Sequence, residues 1–257
     1  MPFLAFDMEI AQPVPDGDLL AQRPGIACAA FMREGDAQPV VLFDPADAPQ
    51  WFGPVTRAMN RAGATQVMDT LTAAVGRGDT IVTWNGAGFD FRLLADETGR
   101  HADCAHLART SVDMMFQVLC DRGHPLALDT ALRGMELASK IRSVTLTDGR
   151  TLVIDGAAAP RLWQQGEYRA VMIYCGGDVM GTLALAVECQ RRRQLSWISQ
   201  RGRPSQMLLS SGWLTVDECL SLPRPDTSWM TNPIQREDVL QWMTTADTPT
   251  RTEPSVR

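Results

Sequence analysis

The chain has 257 residues, of which 45% are hydrophobic, so it can bury a sizeable core and is not an intrinsically disordered chain. Its net charge of −6 and its pI of about 5.1 exclude a protein that coats nucleic acid by electrostatic attraction alone. A site built from carboxylates remains compatible with this charge, because bound cations can supply local positive charge.

Hydropathy and cysteine spacing bear on the compartment of the protein. No apolar run approaches the roughly 18 to 20 residues of a spanning helix, which predicts a soluble protein without a membrane partner. The six cysteines have no close repeated spacing, which favours reduced thiols over disulfides. We therefore expect a cytoplasmic protein.

The first half of the chain has an α/β pattern. Apolar runs at residues 3–6, 26–32 and 40–43, separated by turn residues, predict a three-stranded meander. Residues 54–76 have helical spacing, and a β-branched strand at 80–84 then leads through a glycine-rich turn into a helix at 91–97.

The second half is mainly helical. Residues 112–119 are ambiguous, whereas 126–137 predict a helix capped by Asp129. Asp148-Gly149 predicts a hairpin turn. Residues 162–193 are helical again, with a predicted break at 174–177. Beyond about residue 195 the composition changes, which indicates a C-terminal extension with a polar, disordered tail after Thr244.

Asp7 and Glu9 lie two residues apart on the first predicted strand, so both carboxylates project from one face of it. Two like charges at the end of an apolar strand are unfavourable unless positive charge lies between them. Hard divalent cations with oxygen ligands meet that need. The alternative is a solvated strand end.

A second motif is Asn85-Gly86-Ala87-Gly88-Phe89-Asp90, in which a strand ends, the backbone turns and Asp90 begins a helix. The turn lacks the Gly-Lys-Ser/Thr ending of a phosphate loop. An ordinary loop, with Asp90 favourably placed at a helix N-terminus, is the alternative.

A third motif places Tyr174 and Asp178 four residues apart, so that they share one helical face. The intervening Gly176 and Gly177 would each cost a helix about 1 kcal/mol relative to alanine, which indicates a close approach to another backbone or a site. The alternative is a helix that begins near Asp178 after a Gly-Gly loop, with Tyr174 as a packing residue.

Taken together, Phe-Asp-Met-Glu, Asn-x-x-x-Phe-Asp and Tyr-x-x-x-Asp occur in the order of the three exonuclease motifs of the DEDD superfamily. With tyrosine in the third motif, the sequence resembles the DEDDy branch of this superfamily. The residues around that tyrosine are similar to those in the proofreading exonuclease of family B DNA polymerases. Residues 126–140 also resemble the segment before the third motif. The resemblance implies a free-standing exonuclease: a ribonuclease-H-like mixed sheet flanked by helices over residues 1–195, with a C-terminal extension over 196–257.

The resemblance also implies roles for the matched residues. Asp7, Glu9, Asp90 and Asp178 would bind two divalent cations, Mg²⁺ or Mn²⁺, and Tyr174 would orient the attacking water. Asn85 would contact the sugar-phosphate and Phe89 would shape the pocket. The implied reaction is 3′-to-5′ hydrolysis of nucleic acid, preferably from the 3′ end of single-stranded DNA, to nucleoside monophosphates.

Two other functions remain open: an RNA-trimming 3′-to-5′ exoribonuclease with the same chemistry, and a catalytically silent nucleic-acid-binding module on the same fold. Arginines at 191–193, 201 and 203 surround Trp197, a pattern that suits single-stranded nucleic acid, or else a solvated helix end with a packing tryptophan. Asp113 follows a possible strand and has either a site role or a structural one.

Overall fold

The computed structural model of the protein describes residues 1–14, 23–43 and 58–244. Its central sheet has the strand order β3-β2-β1-β4-β5. The strands are β1 (Phe3–Ile10), β2 (Ile26–Arg33), β3 (Val40–Leu42), β4 (Thr80–Thr83) and β5 (Val112–Asp113). The first three form the predicted antiparallel meander, and β4 and β5 continue the sheet parallel to β1.

Helices cover both faces of this sheet. They are α1 (Arg61–Gly76), α2 (Asp90–Thr98), α3 (His101–Thr110), α4 (Met114–Arg122), α5 (Leu128–Gly134), α6 (Ala159–Gln164), α7 (Tyr168–Arg192), α8 (Val216–Cys219) and α9 (Arg236–Val239). The α/β class and the mixed sheet flanked by helices, both predicted from the sequence, are confirmed.

The side-chain alternation of β1 divides the core into two clusters. Leu4, Phe6 and Met8 pack in the cluster that contains the buried faces of α1, α2 and α3. Ala5 packs in the other cluster, with α5, α6 and α7. Because side chains alternate along a strand, Asp7 faces the α7 side together with Ala5. The apolar residues around Asp7 thus anchor β1 while its carboxylate meets α7.

Two smaller hairpins lie outside the central sheet. β6 (Ser143–Thr145) pairs antiparallel with β7 (Thr151–Val153), which confirms the predicted turn at Asp148-Gly149. Gly149 has a φ of +85°, a value that glycine adopts without steric cost. β8 (Gln194–Ile198) pairs antiparallel with β9 (Pro204–Leu208).

The predicted break at residues 174–177 is wrong, because α7 is continuous there. The two glycines permit close packing instead: a Cβ on Gly177 would lie 2.5 Å from Ile141 Cδ1, and one on Gly176 would lie 3.2 Å from Pro39 Cγ. The helix therefore passes close to two neighbouring segments without interruption.

The expectation that no apolar segment approaches the length of a membrane-spanning helix is wrong for α7. Its 25 residues contain an 18-residue window with a mean hydropathy of 1.6, which fits a membrane span by length and composition. Within the protein 61% of that window is buried, as in the core helix of a globular protein.

Residues after 195 contribute to both core clusters. Trp197, Met207 and Trp213 belong to the α7 cluster, whereas Leu240 and Trp242 belong to the α1–α3 cluster. A Cβ on Gly134 would meet the Ser196 carbonyl oxygen, so α5 and β8 are in close contact. The predicted disordered tail after Thr244 and the predicted helix start at 54–57 lie outside the described residues.

Candidate active site

Three carboxylates from two elements converge beside the central sheet. Asp7 and Glu9 extend from β1 and Asp178 from α7, and one oxygen of each lies within 4.8 Å of the others. Glu9 and Asp178 are buried, whereas Asp7 is partly exposed. The structure thus brings together the first and third predicted motifs, which lie about 170 residues apart in the chain.

The second motif reaches the same place through the parallel pairing of β1 with β4. Ala5 lies opposite Val82, which puts Asp7 level with the residues just after β4. Asp90, the first residue of α2, is buried, and its Oδ1 accepts a hydrogen bond of 2.8 Å from the backbone N–H of Met8. This bond ties Asp90 to the peptide between the two carboxylates of β1.

Burial raises the pKa of every acid in the group, and repulsion among these acids raises it further for Asp7 and Glu9. For Asp7, burial is the largest cause, followed by the charges of Asp90 and Asp178. The same kinds of cause raise the pKa of Glu9. Burial raises the pKa of Asp90 to about 7, although the hydrogen bond from Met8 opposes the change. Buried, like-charged carboxylates of this kind require a positive charge to remain ionised.

Lys140, the only lysine of the sequence, supplies one such charge. Its Nζ lies 2.6 Å from Asp178 Oδ2 and donates a 3.1 Å hydrogen bond to the hydroxyl of Tyr174. Burial opposes the charge of Lys140, but Asp178 and Tyr174 together outweigh it and raise the pKa of the ammonium. The spacing of four residues on α7 therefore presents the phenol and the carboxylate to one shared cation.

Tyr174 is a buried member of this group. Burial, followed by the charge of Asp178, raises the pKa of its phenol, so the hydroxyl keeps its proton near neutral pH. A phenol has one O–H donor and acceptor lone pairs. Since Lys140 occupies a lone pair, the O–H of Tyr174 acts as a donor, and its hydrogen bond to Asp178 opposes the rise in the pKa of that carboxyl.

The loop between β4 and α2 is held by Asp113. Its carboxylate accepts hydrogen bonds from the backbone N–H groups of Asn85 at 3.0 Å, Ala87 at 2.9 Å and Phe116 at 3.0 Å. Asn85 has a φ of 74°, in the left-handed region that few residues other than glycine adopt. Asp113 therefore stabilises an uncommon backbone conformation beside the carboxylates.

A cleft of about 440 Å³ opens over the acidic group. Asp7, Asp178, Lys140 and Asn85 line it together with an apolar wall formed by Trp84, Met115, Pro125, Leu126, Ala127 and Leu128. Phe89 lies elsewhere: it lines an adjoining cavity of about 220 Å³, which it shares with Asn85 and Arg92. Of the two predicted substrate-binding residues, Asn85 thus borders the acidic cleft and Phe89 borders the neighbouring cavity.

Sequence reasoning gave Lys140 no role in the site. Its only signal in the sequence is that it is the single lysine at the end of the segment before the third motif. The basic stretch around Trp197 is not a stacking surface, because Trp197 is buried in the core and Glu188 pairs with Arg191 and Arg192. Of the two interpretations of that stretch, the packing tryptophan is correct.

The chemistry of the site fits a divalent cation. Asp178 Oδ1 is buried and makes no hydrogen bond within the described part of the chain, and it belongs to the same carboxylate that Lys140 contacts through Oδ2. Carboxylate oxygens from Asp7, Glu9 and Asp178 in close proximity are the ligands that Mg²⁺ and Mn²⁺ prefer. A bound cation would satisfy the lone oxygen and relieve the repulsion that raises the pKa values.

Comparison with known proteins gives structural similarities only. No protein-family model and no curated protein matches the chain. It is similar to the family B DNA polymerase of the hyperthermophilic archaeon Pyrobaculum calidifontis, with 19% identity and a TM-score of 0.46 over 73% of this chain and 24% of that one. It is also similar to a product-bound exonuclease I, with 16% identity and a TM-score of 0.38 over 74% and 43% of the two chains. An ExoI/SSB-Ct complex has the same identity and TM-score over 80% and 51%. The chain thus spans between about a quarter and a half of these proteins.

Proposed function

We propose that the protein is a metal-dependent 3′-to-5′ exonuclease of the DEDDy type that hydrolyses single-stranded DNA to nucleoside monophosphates. The observation that carries the proposal is the convergence of all three motifs on one cleft. Asp7, Glu9 and Asp178 share one cluster, Asp90 is bonded to the β1 backbone between the first two, and Tyr174 lies one helical turn from Asp178. If Asp7 and Glu9 were only a solvated strand end, or Tyr174 only a packing residue, these side chains would have no reason to lie together.

The acidic residues would act as the metal ligands. Two divalent cations, Mg²⁺ or Mn²⁺, would neutralise the phosphodiester and activate the attacking water. Asp7, Glu9, Asp90 and Asp178 would hold them. Without cations the same carboxylates would repel the phosphate, so the residues that bind metal also make metal necessary.

Tyr174 and Lys140 would orient the nucleophile. The phenol keeps its proton, so it serves as a hydrogen-bond donor to water rather than as a base. Lys140 fixes the phenol oxygen and the carboxylate of Asp178 at the same time. Fixing the water and the acid in one geometry lowers the entropic cost of attack.

The shape of the cleft suits the end of a single strand. Its apolar wall can cover the faces of a terminal nucleoside while the carboxylates lie beside the phosphodiester. Asn85 borders the acids and would contact the sugar-phosphate backbone. Phe89 would contact the strand further along, in the adjoining cavity.

The polarity of digestion tests this proposal. We would incubate the protein and Mn²⁺ with 5′-labelled single strands that carry a 3′ hydroxyl or a 3′ phosphate, and with a circular single strand. The proposal predicts stepwise shortening of the 3′-hydroxyl strand and no change in the other two. Asp7→Ala should be inactive, whereas Asp69→Ala, which removes an exposed acid of α1, should match the parent.

Each other result points to a different function. Cutting of the circle would indicate an endonuclease. If an RNA strand of the same sequence, tested beside the DNA, were shortened in preference to it, the protein would be the exoribonuclease. Binding of single strands without any shortening, in Mg²⁺ or Mn²⁺, would indicate the silent binding module and contradict the proposal.

A further inference from the structure

Trp242, in the segment after α9, bonds directly to the loop of the second motif. Its indole Nε1–H donates a 2.8 Å hydrogen bond to the carbonyl oxygen of Ala87, and the bond is buried. The two residues are 155 positions apart in the sequence. Ala87 itself is fully buried, and it lies three residues before Asp90.

The Ala87 backbone is held from two sides. Its N–H donates to Asp113 Oδ2 at 2.9 Å, and its carbonyl accepts from Trp242. Loop carbonyls lack the regular partners that a helix supplies, so an external donor determines where such a group points. With both polar groups of one residue fixed by side chains of other elements, the loop has little freedom to rotate.

A steric contact adds to the hydrogen bond. A Cβ on Gly88 would lie 2.9 Å from Val239 Cγ1 and 3.1 Å from Asn85 Oδ1. The last residue of α9 therefore lies directly against the loop, with space for a glycine only. Hydrogen bond and contact together bring residues 239–242 against the turn that connects Asn85 to Asp90.

The segment that carries Trp242 is itself anchored. Arg236 donates to the carbonyl oxygens of Cys219 at 3.3 Å and Leu222 at 2.9 Å. Leu240, Trp242 and Met243 are buried in the cluster that also contains Ala87 and Phe91. Because the segment of Trp242 is held by its own buried contacts, it can determine the position of the loop.

From this geometry we propose that Trp242 is a positioning residue of the exonuclease site: it fixes the 85–90 loop and thereby the approach of Asp90 and Asn85 to the acidic cleft. The inference rests on the proposed function and assigns residues 236–243 to the catalytic unit. Trp242 acts through Ala87 and not on the substrate.

The test compares two tryptophans with the same kind of bond. Trp242→Phe keeps an aromatic ring and removes the N–H. Trp213→Phe is the matched control, because the buried Trp213 Nε1 donates at 3.0 Å to the carbonyl of Ala186, whose position α7 already fixes. We expect both variants to fold, with similar decreases in Tm.

The two variants should differ in the site. For Trp242→Phe we expect faster amide hydrogen exchange at residues 85–90, weaker Mn²⁺ binding by calorimetry, and a kcat for nucleotide release lower by roughly 3- to 30-fold, since a small misplacement of a catalytic group is costly. The KM should change less than kcat. Trp213→Phe should stay within about twofold of the parent in all of these measurements.

A second pair of variants tests the contact with Val239. Gly88→Ala should lower kcat, because its new methyl group meets Val239 Cγ1, and the added substitution Val239→Ala should restore part of the loss. Loop exchange, Mn²⁺ affinity and kcat of Trp242→Phe equal to those of Trp213→Phe would overturn the inference. If the parent releases no nucleotides, the proposed function fails, and exchange and Mn²⁺ affinity still decide whether Trp242 positions the loop.

Discussion

The side chain of Asp90 bonds to the backbone of Met8, the residue that separates Asp7 from Glu9. This 2.8 Å bond joins the start of α2 to β1 at the acidic cleft. The carboxylate of Asp90, in the second motif, is thereby positioned by the backbone of the first motif. The same buried position raises the pKa of Asp90 to about 7.

The raised pKa of Asp90 predicts how the stability of the metal-free protein depends on pH. The folded chain holds this proton more tightly than the unfolded chain, in which an aspartate titrates at about pH 4. Asp90 therefore lowers the free energy of unfolding increasingly as the pH rises from there through about 7. Asp90→Asn, measured in chelator, should gain Tm relative to the parent across this range. Parallel Tm curves for the two proteins would contradict the prediction.

Lys140 and bound metal should partly replace each other. Lys140→Met leaves the buried carboxylate of Asp178 without its counter-charge, which should lower the free energy of unfolding by about 1–3 kcal/mol in chelator. With saturating Mg²⁺ the difference from the parent should shrink, because the cation then faces the same carboxylate. Urea denaturation of both proteins in both conditions measures it, and a difference that does not depend on Mg²⁺ would show that no cation binds beside Asp178.

Tyr174→Phe keeps the ring and removes the hydroxyl that Lys140 contacts. Metal binding should change little, and turnover should fall roughly 10- to 1,000-fold, as for the loss of a group that orients the nucleophile. Tyr168→Phe is the matched control, because Tyr168 is the other tyrosine of the chain and packs edge-on against Trp163. Single-turnover rates of Tyr174→Phe within about twofold of the parent would mean that Tyr174 is only a packing residue.

Asp113→Ala should destabilise the protein. It leaves three backbone N–H groups beside the site without their acceptor, and a buried donor without a partner costs about 1–3 kcal/mol. We expect a loss of at least about 3 kcal/mol in urea denaturation. Asp103→Ala, an exposed acid on α3, should cost far less. Equal stabilities of the two variants would show that Asp113 does not hold the loop.

The strands and turns of the sheet could be predicted from the sequence, because these elements depend on residues that are close together in the chain. The alternation of apolar residues around Asp7 and the turn at Asp148-Gly149 are signals of this kind. The continuity of α7 was missed, since the glycines at 176 and 177 have no local reason to be helical. Their reason is the nearby Pro39 and Ile141, which only the folded chain brings to them.

The cap predicted for α5 failed for a related reason. Asp129 lies in the first turn of that helix and pairs with Arg133 and Arg142, whereas the N-cap position belongs to Ala127. Side-chain preference alone did not determine which residue begins the helix.

The supporting residues of the site were the least predictable part. Motif spacing singled out Asp7, Glu9, Asp90, Tyr174 and Asp178. The structure brings these residues near one another, and Asp7 and Asp178 line the cleft. Lys140 contacts Tyr174 across 34 residues and Trp242 contacts Ala87 across 155, and no periodicity connects positions so far apart. Contacts of this length follow from the packing of the whole chain.

The most direct test of metal-dependent exonuclease activity is a titration with Mg²⁺ after exhaustive chelation. The readout is the release of nucleoside monophosphates from a 5′-labelled single strand. The parent should be inactive in chelator and regain activity as Mg²⁺ fills the site. Asp178→Asn should stay inactive, or nearly so, at every Mg²⁺ concentration while remaining folded, because it loses a ligand and not the core around it. Full activity of the parent in chelator, or normal turnover by Asp178→Asn, would contradict the proposed function.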